Sequence, residues 1–220
     1  MTRLDIISDP ICPWCYIGKT KLDRALEANP EHDLVVEWHP FQLNPDMPRE
    51  GMDRREYLEL KFGGRDGALR VYGAIADAAE AAGIDIDFEK IARTPSTLDA
   101  HRLIHWAGIE GRQNAIVDRL FKAYFRDGVD IGSRDTLVEI ARGAGMDAEM
   151  VGMLLAGDAD REDIQARDRD ARIKGVTGVP CFVIGGHYVV QGAQPTELWD
   201  KVIRELIEQR RAETAQASAP

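Results

Sequence analysis

Strand-forming sequence is confined to the two ends of this 220-residue chain, with a long helical stretch between them. Leu4 to Ser8 is a short apolar run closed by Asp9-Pro10. From Pro13 to Ala28 the apolar residues Tyr16, Ile17, Leu22, Ala25 and Leu26 recur at helical spacing between charges, as one buried helix face requires. Pro13 falls in the first turn, where its missing N–H costs no helical hydrogen bond. Leu34 to Trp38 reads as a second strand, and Pro40 and Pro45 punctuate the segment after it. At the far end, Val179 to Ile184 and His187 to Val190 flank Gly185-Gly186, which predicts a hairpin with a Gly-Gly turn. Pro195 to Arg211 closes as a helix with Leu198, Val202 and Leu206 on one stripe.

Between these ends the pattern is helical. Tyr57, Leu58, Leu60 and Phe62 lead a short helix, Leu69 to Ala82 a second and Leu98 to Ile109 a third. Ile116, Val117, Leu120, Phe121, Tyr124 and Phe125 form a double i, i+4 stripe, the pattern of a helix face turned to a core. Ser133 and Asp147 stand where N-caps are expected, and Arg161 to Lys174 alternates charges as an exposed helix face does. Strand–helix–strand and strand–strand–helix each bury too little apolar surface alone, but together they can share one sheet. The expected architecture is therefore α/β. Residues 1–52 and 175–211 form one discontinuous domain, 53–174 an all-helical insertion, and 212–220 a flexible tail.

Formal net charge is -10 and the sequence pI is near 5.0. Like charge repels at long range, which argues against nucleic acid or an anionic membrane surface as partner. No apolar run approaches the roughly 20 residues a membrane-spanning helix needs. The N-terminus enters its first strand almost at once, with neither the apolar core nor the cleavage site of a secretory signal, so a cytoplasmic location is expected.

The chain has three cysteines, Cys12, Cys15 and Cys181. In a reducing compartment, closely spaced cysteines point to catalysis or metal binding more than to structural disulfides. Cys12 and Cys15 bracket Pro13-Trp14 at a strand-to-helix junction. There the unpaired N–H groups and dipole of the helix start favour an anion, and the thiolate is the nucleophile of disulfide exchange. Cys15, one turn further in, is placed to attack a mixed disulfide and release product. The sequence shows no cation beside Cys12, and Asp9, if close in space, opposes the thiolate. A structural zinc site would need two more ligands at suitable spacing; Cys181 and five scattered histidines provide no second paired motif, so no metal is expected. Two inert buried cysteines are the remaining reading.

The segment Ser8-Asp9-Pro10-Ile11-Cys12-Pro13-Trp14-Cys15-Tyr16-Ile17-Gly18 resembles the active-site region of the DsbA-like thioredoxin-fold oxidoreductases, in particular their FrnE-like cytoplasmic branch. Trp38 to Pro45, Thr97 to Leu103, Gly178 to Val183 and Gly192 to Gln194 resemble further segments of the same branch. The resemblance spans about residues 4 to 207 and implies a thioredoxin fold interrupted by a helical domain. It also implies that Val179-Pro180 is a cis peptide lying against the Cys-x-x-Cys, with the Val179 backbone turned toward Cys12. Cys12 and Cys15 are then the catalytic pair, and Pro13, Trp14, Val179 and Pro180 contact substrate. Cys181 departs from the residue usual at its position, often Thr or apolar. It is either a third redox thiol or, as we favour, a small buried hydrophobe. Glu37, His39, His101 and His105 could each help Cys15 lose its proton, but a satisfied structural role is the simpler reading of each.

The expected activity is thiol–disulfide exchange on a disulfide-containing protein or a small thiol substrate. In a reducing cytosol, reduction or isomerisation is favoured over oxidation. No cofactor is needed beyond the redox disulfide itself, with glutathione a possible co-substrate. Kappa-class glutathione transferases and 2-hydroxychromene-2-carboxylate isomerases are similar in layout, but they activate the thiol of glutathione, usually with a serine near the position of Cys12. A peptide-binding, chaperone-like module beside inert cysteines ranks third, since no apolar excess marks the exposed faces.

Overall fold

The two ends of the chain meet in one sheet. In the computed structural model, which describes residues 1–217, β1 (Thr2–Ser8) is followed by α1 (Pro13–Ala28) and β2 (Leu34–Pro40). Then come β3 (Met52–Asp53), α2 (Arg54–Phe62), α3 (Arg65–Ala81), β4 (Arg93–Thr94), α4 (Leu98–Ile109) and α5 (Gln113–Phe121). The chain continues through α6 (Arg134–Gly143), α7 (Ala148–Ala156) and α8 (Arg161–Ile173) to β5 (Cys181–Ile184), β6 (Tyr188–Gln191) and α9 (Thr196–Ala217). The main sheet has the order β2-β1-β5-β6. β1 pairs in parallel with β2 and antiparallel with β5, Ile6 lying opposite both Trp38 and Phe182. Having neighbours on both sides, β1 is buried from Leu4 to Ser8, which explains its unbroken apolar look.

Successive side chains of a strand point to opposite faces. Leu4, Ile6, Phe182 and Ile184 join the main core with Leu22 and Ala25 of α1 and Trp199, Ile203 and Ile207 of α9. Ile7 and Cys181 belong to a separate cluster with Phe41, against which Ala171 and Val176 pack. The edge strand β2 is covered by Gln113 at the start of α5. Its Oε1 accepts from Trp38 N at 2.8 Å and its Nε2 donates to Trp38 O at 3.1 Å, which occupies backbone groups that an open edge would expose.

The inserted segment is helical apart from the two-residue ladder of β3 with β4. The apolar stripe over Ile116–Phe125 is buried as expected, but its last turn widens into a π turn over Lys122–Arg126. Phe121 and Phe125 both stack on Tyr16 of α1, at 5.2 and 5.8 Å between ring centres, which clamps the insertion to the helix that carries the cysteines. Asp147 caps α7 by accepting from Glu149 N and Met150 N, whereas Ser133 precedes α6 without a side-chain cap. The charged helix α8 is not wholly a solvated face: it buries Ile164 and Asp168, and Asp168 Oδ1 accepts from Gln42 N at 2.8 Å.

Two expectations are corrected. The hairpin turns through three residues, Gly185, Gly186 and His187, because Ile184 pairs with Tyr188; both glycines hold positive φ, 59° and 76°, which only glycine adopts freely. The last helix does not stop at Arg211 but runs to Ala217, so residues 212–217 are helical and not tail. Ala212, Glu213 and Gln216 are good helix formers, and Arg210 and Arg211 anchor this end on Glu31. Residues 218–220 of the expected tail lie outside the described residues.

Candidate active site

Cys12 occupies the N-cap of α1 with extended backbone angles, φ -87° and ψ 114°, and Pro13 takes the first helical position. Its N–H donates to Asp9 O at 2.9 Å, and its carbonyl accepts from Cys15 N and Tyr16 N at 3.1 and 3.3 Å. The first turn has no capping side chain and no acidic residue, so its dipole is left for the Cys12 sulfur. The Cys12 thiol donates to Val179 O at 3.5 Å across the site. The Val179–Pro180 peptide is cis, and Pro180 O accepts from Gly192 N at 2.8 Å. The structure thus brings Cys12, Cys15, Pro13, Val179 and Pro180 together, with Trp14 at the mouth, 38% exposed.

The two cysteines are not equivalent. Both are free thiols, with exposures of 4% for Cys12 and 1% for Cys15. Burial pushes the Cys15 thiol well above its ordinary value, and its hydrogen bond and charge interaction with Cys12 push it further the same way. Cys15 therefore stays protonated in the reduced protein, where a neutral thiol can donate to a neighbouring thiolate.

Gly18 allows this arrangement. A Cβ there would lie 3.1 Å from Pro180 Cγ and 3.4 Å from Ala193 Cα, so α1 lies against the proline loop at a distance that larger side chains forbid. Gly18→Val should destabilise the fold by about 1–3 kcal/mol through overpacking against Pro180. A urea unfolding curve checks this.

Asp9 is fully buried beside the pair. Its Oδ2 accepts from Leu43 N at 2.6 Å and its Oδ1 from Ile11 N at 3.4 Å. His101 of α4 places Nε2 3.7 Å from Asp9 Oδ1, and that nitrogen has no hydrogen-bond partner among the described residues. The insertion thus presents a buried imidazole to the carboxylate next to the cysteines. Asp9 meets Cys15 twice, its backbone hydrogen bond favouring the thiolate and its charge disfavouring it. At Cys15, therefore, the charge of Asp9 and its backbone act in opposite directions.

The other titratable candidates lie elsewhere. His39 Nε2 is 2.6 Å from Asp5 Oδ1, and Arg167 reaches His39 Nδ1 at 3.2 Å and His105 Nδ1 at 3.1 Å. These contacts tie α8 to β2 and α4. Asp5, Glu37 and His39 form the one close group of potential metal ligands among the described residues. Arg3, 2.9 Å from Asp5, and Arg167 on His39 already supply positive charge there, which disfavours a cation. Cys181 is 1% exposed and packs with Ile7 and Phe41, outside the core cluster that holds Cys12 and Cys15; burial raises its thiol. Strand alternation decides this, since Phe182, not Cys181, faces the main core.

A redox-spaced thiol pair at a helix start, facing a proline loop on a four-stranded sheet, defines the class of a thioredoxin-fold protein with a helical insertion. Over residues 3–204 the sequence matches the DSBA-like thioredoxin domain, and the chain belongs to that family. A probable DsbA oxidoreductase, SCO1869 of Streptomyces coelicolor, is 34% identical with a TM-score of 0.82 over 93% of this chain and 89% of that one. The Bacillus subtilis (strain 168) protein YwbO is 27% identical over 91% of this chain and 95% of its own length. The cytosolic disulfide reductase DsbM of Pseudomonas aeruginosa shares the fold, with 20% identity and a TM-score of 0.68 over 94% of this chain and 99% of that one. Among the described residues no helix is long and apolar enough to cross a membrane.

Proposed function

We propose that this chain is a dithiol–disulfide oxidoreductase that works in a reducing compartment, as a reductase or isomerase more than as an oxidase. The observation that carries the reading is the asymmetry of the pair. Cys12 sits at the helix start against Val179 O, while Cys15 is sealed behind it and held protonated. The Cys12 thiolate attacks one sulfur of a substrate disulfide, forming a mixed disulfide and expelling the other sulfur as a thiolate that takes up a proton. Cys15 then loses its proton and attacks the Cys12 sulfur. The second substrate thiol leaves, and two electrons have passed from the pair to the substrate. Pro13, Trp14, Val179 and Pro180 line the approach to Cys12, and an external thiol such as glutathione returns two electrons to the Cys12–Cys15 disulfide, leaving as its own disulfide and closing the cycle.

The glutathione-dependent isomerase reading needs an external thiol to be activated where this chain carries its own sulfur, so it ranks second. Equilibration with mixtures of reduced and oxidised glutathione, read by Trp14 fluorescence and by mass, tests the proposal. The expected result is a reversible two-electron transition with formation of a Cys12–Cys15 disulfide. A pair that never oxidises across the whole range overturns it.

A further inference from the structure

Arg54, the first residue of α2, is a buried cation without an acid. It is 7% exposed, and its guanidinium carbon lies 5.1 Å from the ring centre of Tyr72, 5.8 Å from Phe88 and 5.9 Å from Tyr124. Nη1 donates to the Tyr124 hydroxyl at 3.0 Å, but Nη2 is buried with no hydrogen-bond partner among the described residues. No carboxylate among the described residues forms an ion pair with Arg54. Ring faces attract a cation, yet an arginine this deeply buried ordinarily has a carboxylate or a full set of acceptors. By contrast Arg102, another deeply buried arginine, is fully partnered by Asp99 and three carbonyls.

Arg54 lines a cavity of about 500 Å³ whose walls include Leu58, Leu69, Tyr72, Phe88 and Ile91. Arg65, exposed on its rim, makes no ion pair among the described residues. The lining also holds Asp53, Arg55 and Glu59, but Glu59 pairs with Arg55 and Asp53 caps α2 through Glu56 N, so on a chain of net charge -10 the two guanidiniums left without a carboxylate stand out. None of the cavity's lining residues belongs to the redox pair or the proline loop, and its links to them are indirect. Tyr57 of α2 donates to Asn44 Oδ1 at 2.9 Å; the neighbouring Leu43 N–H is held by Asp9, whose carbonyl holds Cys12 N. α3 packs on α1 through Ile75 and Ala79 against Ile17. Burial raises the Tyr72 hydroxyl; the charge of Arg54 and a side-chain hydrogen bond to it act the other way, and the charge of Cys12 adds only a small push upward.

We propose that this cavity seats a carboxylate of a small thiol or disulfide substrate, with Arg54 as its anchoring cation and Arg65 as a secondary one. The carboxylate supplies the counter-charge and the acceptor that Arg54 lacks, and the apolar walls take the body of the molecule. The assignment of the ligand as a thiol rests on the proposed redox function; the carboxylate site itself does not.

The probe is S-methylglutathione, which carries carboxylates but no exchangeable sulfur, titrated calorimetrically into the full chain. Binding to the wild type should weaken about ten-fold or more in Arg54→Gln, the loss expected for one charge-assisted contact, and a few-fold in Arg65→Gln. Arg65 is on the surface, so the second variant keeps the test alive if the first fails to fold. In turnover, oxidised glutathione should be preferred over the uncharged bis(2-hydroxyethyl) disulfide, and Arg65→Gln should narrow that preference. No binding to the wild type at millimolar probe, or binding unmoved by both substitutions, overturns the proposal. So does an acidic peptide lacking sulfur that competes equally well, which would make the occupant a protein carboxylate. Binding without reduction of either disulfide would instead refute the redox reading and leave the carboxylate site standing.

Discussion

Cys12→Ser protein should lose disulfide reduction by at least about three orders of magnitude, since removing the attacking atom of a concerted site costs most of its rate. Cys15→Ser protein should also stop turning over, but for a different reason. With Cys12 intact and no resolving thiol, it should accumulate a mixed disulfide with the substrate that mass spectrometry detects and dithiothreitol reverses. The contrast comes from position. Cys12 alone has the helix start and the Val179 carbonyl, while Cys15 is 1% exposed and kept protonated by burial and by Cys12. Equal trapping by the two single variants, or activity that survives Cys12→Ser, would sink this division of roles. Cys181 gives an internal control. It belongs to the cluster with Ile7 and Phe41, so Cys181→Ala should leave the exchange rate within about two-fold, as changes away from the reacting groups do.

Arg102→Met should destabilise the protein by about 3–5 kcal/mol, the loss typical when one partner of a buried charged network is removed. Arg102 is fully buried on α4. Its Nε donates to Ala159 O at 2.6 Å and its Nη2 to Leu154 O at 2.6 Å and Gly157 O at 2.9 Å, while Nη1 holds Asp99 at 2.8 Å. These carbonyls belong to the end of α7 and the turn after it, where helical carbonyls lack intrahelical partners. The planar guanidinium satisfies them from one side while lying over Trp106, 5.0 Å from its ring centre. Methionine fills much of the volume but leaves those carbonyls and Asp99 without their common partner. Arg102→Lys should recover only part of the loss, because an ammonium cannot fork between them. Urea midpoints for the three proteins measure the series; a shift within error for Arg102→Met would refute the clamp.

The features legible in the residues are those whose cause is local. Pro13 and the period of Tyr16, Ile17, Leu22 and Ala25 specify a helix starting just after Cys12, and the spacing of Cys12 and Cys15 puts both on the first turn of that helix. Alternation on the short strands sets Phe182 and Cys181 on opposite faces, which is how the third thiol comes to be separated from the pair. Expectation and structure part where local preference is weak. Ala212 to Ala217 favours a helix by propensity but carries no apolar stripe to announce one, and His187 joins the turn because a partner strand sets register.

The buried partners of the site belong to tertiary structure. Along the chain His101 is one of several histidines with no feature to single it out, and it meets Asp9 only because α4 folds back onto the first strand's end. Arg54 reads as one more charged residue in Asp53-Arg54-Arg55-Glu56. Only the convergence of Tyr72, Phe88 and Tyr124 buries it and strips it of a counter-ion. Where the Cys12 sulfur stands and how its helix begins is written in a dozen consecutive residues, because backbone geometry and helix dipole act within a turn. Which acid, imidazole and cation surround that sulfur is settled by the packing of a distant insertion, because burial and charge pairing depend on neighbours that chain order does not reveal.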